Sequence, residues 1–572
     1  MKKSFLISVV IGSAAGALCG RASERPAWPL VTMRQMSATS FASEDLGTMI
    51  AVNAKHPGSC DEYWLAEGYP LDPTGAIRRA TALGGYARPL GEAGIVPGFQ
   101  QGVTLGHDFS RVPDGGIAFS ESAYQVDVDG KRTAFLCPSS PEVLAHEERY
   151  AETYVRQGRL ESFWLDDDLR LGFFKNRAVS CWCPRCLRLL NAKAGTDYTR
   201  EEFVKRLDSS AANDPIRAVW GAFKAESLAG FAAAARRGAK RANPNVRLGY
   251  QAISSASIAC GADYRPILEA LSDGFRDTVG IRPGHGFYDD ADSARELPRK
   301  LLDVAREAER CRAYPGWRGS VVYEQENYPH FAMQKSAEAI VKEGAVALAA
   351  GCDALSQYWY SSAHPEPFEH YEDVARLTAA WRPYLKRLAD LAPRTHLGGV
   401  ARRIDPDLMT SRANTVSAQL ANALPRRNES DVRLALMGVP VTVAESGATG
   451  FYDPAAVPGH HYSTAQRTAL LDALDALPGG PVCVRVDKVH PLLVYPRVDA
   501  RGRTVAVTFL NVSVGLATGV RVRLRRPAGP TLSWARPCRN DVGLAADRFG
   551  DELRFILPDL PAWSVATVFC GP

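Results

Sequence analysis

Two acidic segments and four cysteines carry the chemistry that can be read from this chain. The segment FWLDDDLRL ends an apolar run in three consecutive carboxylates, Asp166, Asp167 and Asp168. Far downstream, SVVYEQEN brings Glu324 and Glu326 out of a second apolar run, two residues apart and so on one face of a continuing strand. Two carboxyl groups about 5 to 5.5 Å apart are the apparatus of double-displacement glycoside hydrolysis: one attacks the anomeric carbon and the other protonates the leaving oxygen. The acid must keep its proton at rest, which burial and a neighbouring negative charge favour by raising its pKa. Directly after the first acidic run, CWCPRC supplies Cys181, Cys183 and Cys186, and Cys137 lies upstream in AFLCPSSPEV. Four such thiolates suit a closed, tetrahedral structural zinc ion that braces a loop and leaves no position for water. A redox pair beside a buried thiol is the competing reading of the same cysteines.

These residues need elements to position them. Between about residues 45 and 390, short apolar runs alternate with longer helical patterns. Strand candidates begin at Thr48 (TMIAVN), Gly94 (GIVPGFQ), Ser162 (SFWLDD), Val246 (VRLGYQA), Thr278 (TVGIRPG), Ser320 (SVVYEQE) and Ala354 (ALSQYWY), with one more between Ile117 and Val126. Strand followed by helix, repeated about eight times, predicts an α/β fold of the (β/α)8 TIM-barrel class. Polar residues gather at the inferred strand ends: His56, Asp61 and Glu62; Gln100 and His107; Asp166 to Asp168; Gln251; Arg282 and His285; Glu324 and Glu326; Tyr358 and Trp359. In such barrels the C-terminal strand ends carry the chemistry. Trp64, Trp164, Tyr323, Tyr328, Tyr358 and Trp359 could stack on sugar rings or equally pack the barrel. His107, His285, Glu326, Asp167 and Trp359 are the candidate substrate contacts, whereas the pair His460 and His461 reads as solvent-facing.

Beyond residue 392 the texture changes. Helical SRANTVSAQLANAL and TAQRTALLDALDAL flank apolar VRLALMGVPVTVAES, which predicts a small α/β domain over 393–486. From 487 to 572 alternating runs such as LLVYPRV, TVAVTFLNVSV and SVATVF predict an antiparallel β-sandwich. At the other end, MKKSFLISVVIGSAAGALCG reads as a signal peptide over 1–22, so a periplasmic or secreted protein with a barrel over 23–392 is expected. Cys19 could carry a lipid anchor, although Leu18 and Gly16 fit that motif poorly.

The 572 residues are 46% hydrophobic and 23% charged with a formal charge of +5, ordinary for a globular protein. Arginines are scattered, with no basic run interleaved with aromatics, so nucleic acid is not an expected partner; nor is any membrane span. Of the 12 cysteines, Cys60, Cys260 and Cys352 read as buried thiols, while a disulfide involving Cys538 or Cys570 stays open.

Several of these segments resemble family 42 glycoside hydrolases, the β-galactosidase type of retaining barrel enzymes. FWLDDDL resembles that family's fourth-strand segment, with Asp168 at the acid/base position and Asp167 at the preceding asparagine. YEQEN resembles its seventh-strand segment, with Glu324 at the nucleophile and Glu326 as fallback. Cys137, Cys181, Cys183 and Cys186 match its zinc site. The resemblance implies a barrel, an amidotransferase-like α/β domain used for trimerisation and a small β domain, acting on oligo- or polysaccharide without an organic cofactor. Where the family has Asn-Glu this chain has Asp167-Asp168, one methylene shorter, which implies a distinct related family with an altered sugar, bond or stereochemical course. A non-catalytic carbohydrate-binding barrel and a metal-dependent hydrolase built on the three aspartates are the competing functions.

Overall fold

The computed structural model describes residues 28–37, 43–67, 72–106, 117, 119–166, 169–171, 179–252, 263–284, 286–327, 331–360, 366–402, 415–420, 429–442, 448–459, 461–477, 482–487 and 490–571. Eight parallel strands close into a barrel: β1 (Val31–Ser37), β2 (Glu62–Glu67), β3 (Val96–Gln101), β4 (Ser162–Leu165), β5 (Arg247–Ala252), β6 (Val279–Pro283), β7 (Gly319–Glu326) and β8 (Ala354–Tyr358), with β1 paired to β8. The barrel class read from the sequence is therefore right, with two strands placed differently. TMIAVN belongs to a helix, Ser43–Lys55, whose Leu46, Met49 and Ile50 are buried at helical spacing. The region near residue 120 forms a hairpin, Tyr124–Val126 with Arg132–Leu136, outside the barrel. The strands the sequence reading lacked are β1 and β2.

Alternation along each strand sorts the side chains. On β7, Tyr323 and Gln325 face the helix Ala337–Ala350, donating to Glu343 Oε1 at 2.7 Å and to the Ile340 carbonyl at 2.5 Å. Val322, Glu324 and Glu326 face the interior. The barrel's waist is filled by Trp64 and Trp164, with ring centroids 4.2 Å apart, joined by Val322 and Ala354. Both tryptophans are fully buried core residues, so they are not rim platforms for sugars. Their bulk requires glycine opposite: a Cβ on Gly249 would lie 2.2 Å from the Trp164 ring, and one on Gly280 2.3 Å. Beneath them, Glu62 accepts from Ser162 Oγ (2.6 Å), Arg247 Nη2 (2.8 Å) and Trp64 Nε1 (2.9 Å). This buried network seals the N-terminal end, away from any site at the C-terminal ends.

The surrounding helices begin and end as their residues dictate. Pro141 and Pro215 occupy first turns, Asp214 caps the Ile216 N–H at 3.0 Å, and Arg159 closes Pro141–Gly158 in the left-handed region. Past the barrel, Gly399–Ala401 and Ala448–Phe451 form a two-stranded parallel pair beside the helices Glu429–Leu436 and Thr464–Asp475. Residues 482–571 form two antiparallel sheets, one of six strands that includes His396–Leu397 and one of four, around a core containing Val494, Phe509, Trp534, Leu524 and Phe555. This is the expected sandwich. It docks on the barrel through Tyr384, whose hydroxyl meets Thr567 Oγ1 at 2.8 Å, and through Arg497, which donates to the Thr395 carbonyl at 2.7 Å. Burial pushes the Arg497 guanidinium down to about 10.

Candidate active site at the C-terminal end of the barrel

Inward residues of β1, β5, β6, β7 and β8, with Asp166 just past β4, gather around Glu324. Arg34 reaches across from β1 and donates to Glu324 Oε1 at 2.9 Å, and its Nη2 also binds Glu326. Its position lies in a bulge, where β1 carries one more residue than β2 between Met33 and Met36, a device that re-aims a side chain. Arg282 on β6 places Nη1 2.5 Å from the same Glu324 oxygen and Nη2 3.8 Å from Asp166 Oδ1, while Gln251 Oε1 accepts from its Nε at 3.0 Å. All these groups are buried except Glu326, which is partly so. Burial draws the Arg34 guanidinium below its ordinary pKa, opposed chiefly by the Glu324 charge beside it. Tyr358 on β8 completes the ring, with Arg34 Cζ 5.2 Å from its centroid.

This arrangement holds one carboxylate in a fixed orientation between two cations, with a second carboxylate, Asp166, on the far side of Arg282. Glu324 and Glu326 share a strand face, as their spacing implies. Below them Lys335, wholly buried, donates to the Glu326 and Phe287 carbonyls at 2.6 Å each and pairs with Glu343 Oε2 at 2.5 Å.

The four cysteines meet as their spacing suggests. Their sulfurs all lie within 4.8 Å of one another, every one is buried, and none is in a disulfide. Cys137–Cys186 and Cys137–Cys183 separations of 3.4 and 3.9 Å bracket the roughly 3.8 Å sulfur–sulfur edge of a tetrahedron with metal–sulfur bonds of about 2.3 Å. Cys137 ends the hairpin after β3, and Cys183 caps the helix Pro184–Ala194 after β4, so the cluster ties two rim loops together.

Several expected site residues fall elsewhere. Trp359 faces outward: its indole donates to Gln357 Oε1 at 2.9 Å and its ring stacks on Tyr371, so it packs against a helix, and Tyr358 holds the inward position. Tyr323 likewise points outward. Asp61 and Glu62 stand at the N-terminal end of β2, where Asp61 accepts from the Leu30 and Val31 N–H groups and from Arg382. His56 pairs with Glu372 at 3.0 Å. Cys538 and Cys570 are both free thiols, against the disulfide left open for either of them. Asp167, Asp168, His107, His285, Tyr328 and His460 lie outside the described residues, as do 1–27 with the expected signal peptide and Cys19. Among the described residues no helix is long and apolar enough to cross a membrane. The residue that sequence reasoning missed is Arg34, whose signal was an arginine bracketed by methionines in VTMRQMS.

No family model matches the chain, and no curated protein resembles it in sequence. Solved structures do. An α-L-fucosidase isoenzyme from Paenibacillus thiaminolyticus superposes with a TM-score of 0.60 over 95% of this chain and 100% of its own, at 11% identity. The β-galactosidase of Bacillus circulans sp. alkalophilus gives 0.58 over 95% and 99%, at 11% identity, and that of Halorubrum lacusprofundi 0.54 over the same shares, at 15%. The chain has their fold. At such identities the likeness concerns architecture, a barrel followed by β-rich elements over nearly the whole length.

Proposed function

We propose that this chain is an exported, exo-acting glycoside hydrolase that removes a terminal β-linked sugar, β-galactosidase-like in chemistry, by a retaining double displacement. The observation that carries the reading is Glu324, an inward carboxylate at the C-terminal end of β7 gripped by Arg34 and Arg282. Two guanidiniums favour its ionised form and fix its direction, which is what an attacking carboxylate requires. Asp168, just past β4, is assigned the proton delivery to the leaving oxygen and the later deprotonation of water. Asp166 and Arg282 would hold that segment against β6. The shared fold with β-galactosidases and a fucosidase supports a carbohydrate substrate.

We also read the four cysteines as ligands of a structural zinc ion, which would supply rigidity to the loops after β3 and β4 and take no part in bond cleavage. Assembly as a homotrimer belongs to the same reading, and sedimentation equilibrium tests it. A panel of nitrophenyl glycosides, with product configuration followed by NMR, tests the activity. Turnover with retained configuration, and a fluorosugar label on Glu324, are the expected results. No turnover on any glycoside would favour a binding module, and chelator-sensitive turnover in a still-folded protein would favour a metal-dependent hydrolase.

A further inference from the structure

Gln100 is the last inward residue of β3 and is completely buried. Its direction follows from its neighbours. A Cβ on Gly98, two residues earlier, would meet Ser162, Glu62 and Trp64 of the barrel interior, whereas Gln101 turns outward to donate to Glu147 at 2.9 Å. Yet neither the amide nitrogen nor the amide oxygen of Gln100 finds a partner, a condition no other glutamine shares among the described residues. Gln251 on β5, equally buried, gives its oxygen to Arg282 and leaves its own NH2 unpartnered. Other buried glutamines of the barrel wall are better satisfied: Gln325 donates to Ile340 and accepts from Gln357, which accepts from Trp359. Leaving a buried amide unmatched is destabilising; Gln101 and Gln125 also leave one oxygen each without a partner, but of these four glutamines Gln100 and Gln251 are the ones on the barrel's inward face, and they mark where a polar guest belongs.

The chemistry of the guest follows from the groups on offer. An amide presents donors and an acceptor side by side, and each hydroxyl both donates and accepts, so one glutamine can span two adjacent hydroxyls. Among the described residues the charged groups at this level are Glu324, Glu326 and Asp166 against Arg34 and Arg282, three carboxylates and two guanidiniums, a balance that disfavours a further negative charge. Ala66, the sheet neighbour of Gln100 on β2, offers it no polar side chain. We propose that Gln100, aided by the free NH2 of Gln251, reads vicinal hydroxyls on an uncharged sugar ring. This names the substrate class of the site and rests on the glycosidase reading of it. Neither glutamine touches the bond-breaking carboxylates' protons; both are specificity residues.

The test uses the full chain and Gln100→Met, which keeps the length of the side chain and removes both amide functions. D-galactose, D-glucose, D-mannose, L-fucose and D-glucuronate are titrated by calorimetry, and melting is followed in parallel. The expected result is a Q100M melting temperature equal to or above that of the wild type, because no protein hydrogen bond is lost. Affinity for whichever neutral sugars bind falls at least tenfold. A monodeoxy analogue lacking the hydroxyl read by Gln100 weakens the wild type similarly and Q100M no further. Should Q100M fail to fold, Gln100→Glu, which keeps one acceptor oxygen, is measured in the same way. The inference is overturned by unchanged sugar affinity in the folded variant, by both variants failing to fold, by tighter binding of glucuronate than of the neutral sugars, or by no neutral sugar binding to the wild type. Sugar binding that depends on Gln100 without any turnover would leave this inference standing and defeat the hydrolase reading; turnover indifferent to Q100M does the reverse.

Discussion

Replacing Lys335 with methionine removes a wholly buried cation that holds three groups at once, the carbonyls of Phe287 and Glu326 and the carboxylate of Glu343. Removing one partner of a buried ion pair costs about 3–5 kcal/mol, because the other charge is left without compensation. Glu343 can reduce that cost by binding a proton, at about 1.4 kcal/mol per pKa unit. Its pKa already stands above the usual carboxylate range, with burial the largest cause and Lys335 the strongest opposing influence. A carboxyl group raised in the folded state binds more protons folded than unfolded. The stability it contributes is therefore complete below its unfolded pKa and is lost as pH rises through the folded value. Without Lys335 the folded pKa climbs further, so around pH 5 K335M trails the wild type chiefly by its two lost hydrogen bonds to carbonyls, and near pH 8 it falls behind by the charge penalty as well. Urea unfolding at both pH values, read by tryptophan emission, to which the buried Trp64 and Trp164 contribute, measures this. The double variant K335M/E343L, with no buried charge left, recovers to within about 1–2 kcal/mol of the wild type or exceeds it. A deficit independent of pH, or a double variant no better than K335M, refutes the reasoning. Because Lys335 pins the carbonyl of Glu326, two residues beyond Glu324, K335M also lowers turnover at the permissive pH.

Glu324→Gly reduces hydrolysis on the order of 10⁴-fold or more, and added azide restores turnover with inverted product configuration, which NMR detects. Gly280→Val drives a side chain into Trp164, whose ring a bare Cβ would already approach to 2.3 Å, and destabilises the barrel by about 1–3 kcal/mol or more in the same urea titration. Cys186→Ser, or a strong chelator, lowers the melting temperature and releases about one equivalent of zinc in a colorimetric assay; less than half an equivalent from protein in reducing buffer would remove the metal. Trp359→Phe leaves kcat/KM within a fewfold of the wild type, whereas Tyr358→Ala, which strips the ring facing Arg34, lowers it at least tenfold.

The legible part of this fold was the part whose strands are apolar on both faces or end in unmistakable charge. SFWLDD and SVVYEQE announce themselves because Phe163, Tyr323 and Val321 pack outward while acids end the inward face. β1 was obscure because its inward positions carry Thr32 and Arg34, so VTMRQMS reads as polar until Glu324 is known to lie across from it. TMIAVN was misleading for the opposite reason, a helix whose buried stripe happens to run through a β-branched pair. Inward and outward could not be told apart at β8, where Tyr358 and Trp359 are adjacent aromatics and only the tertiary register, Tyr358 opposite Glu326, decides between them. The cysteine cluster was legible from spacing alone, since three of its members sit on one short loop and helix start.

The pairing of β1 with β8 has a consequence for how the protein comes into being. The guanidinium that grips Glu324 travels on the first strand, and that strand has its neighbour only once the eighth has left the ribosome. Until then the segment 31–37 lacks one of its two edges and Glu324 lacks one of its two clamps. Closure of the barrel and completion of the charged cluster around Glu324 thus both wait on β8. A chain cut short before residue 354 has no partner for the free edge of β1 and cannot close the barrel around Glu324.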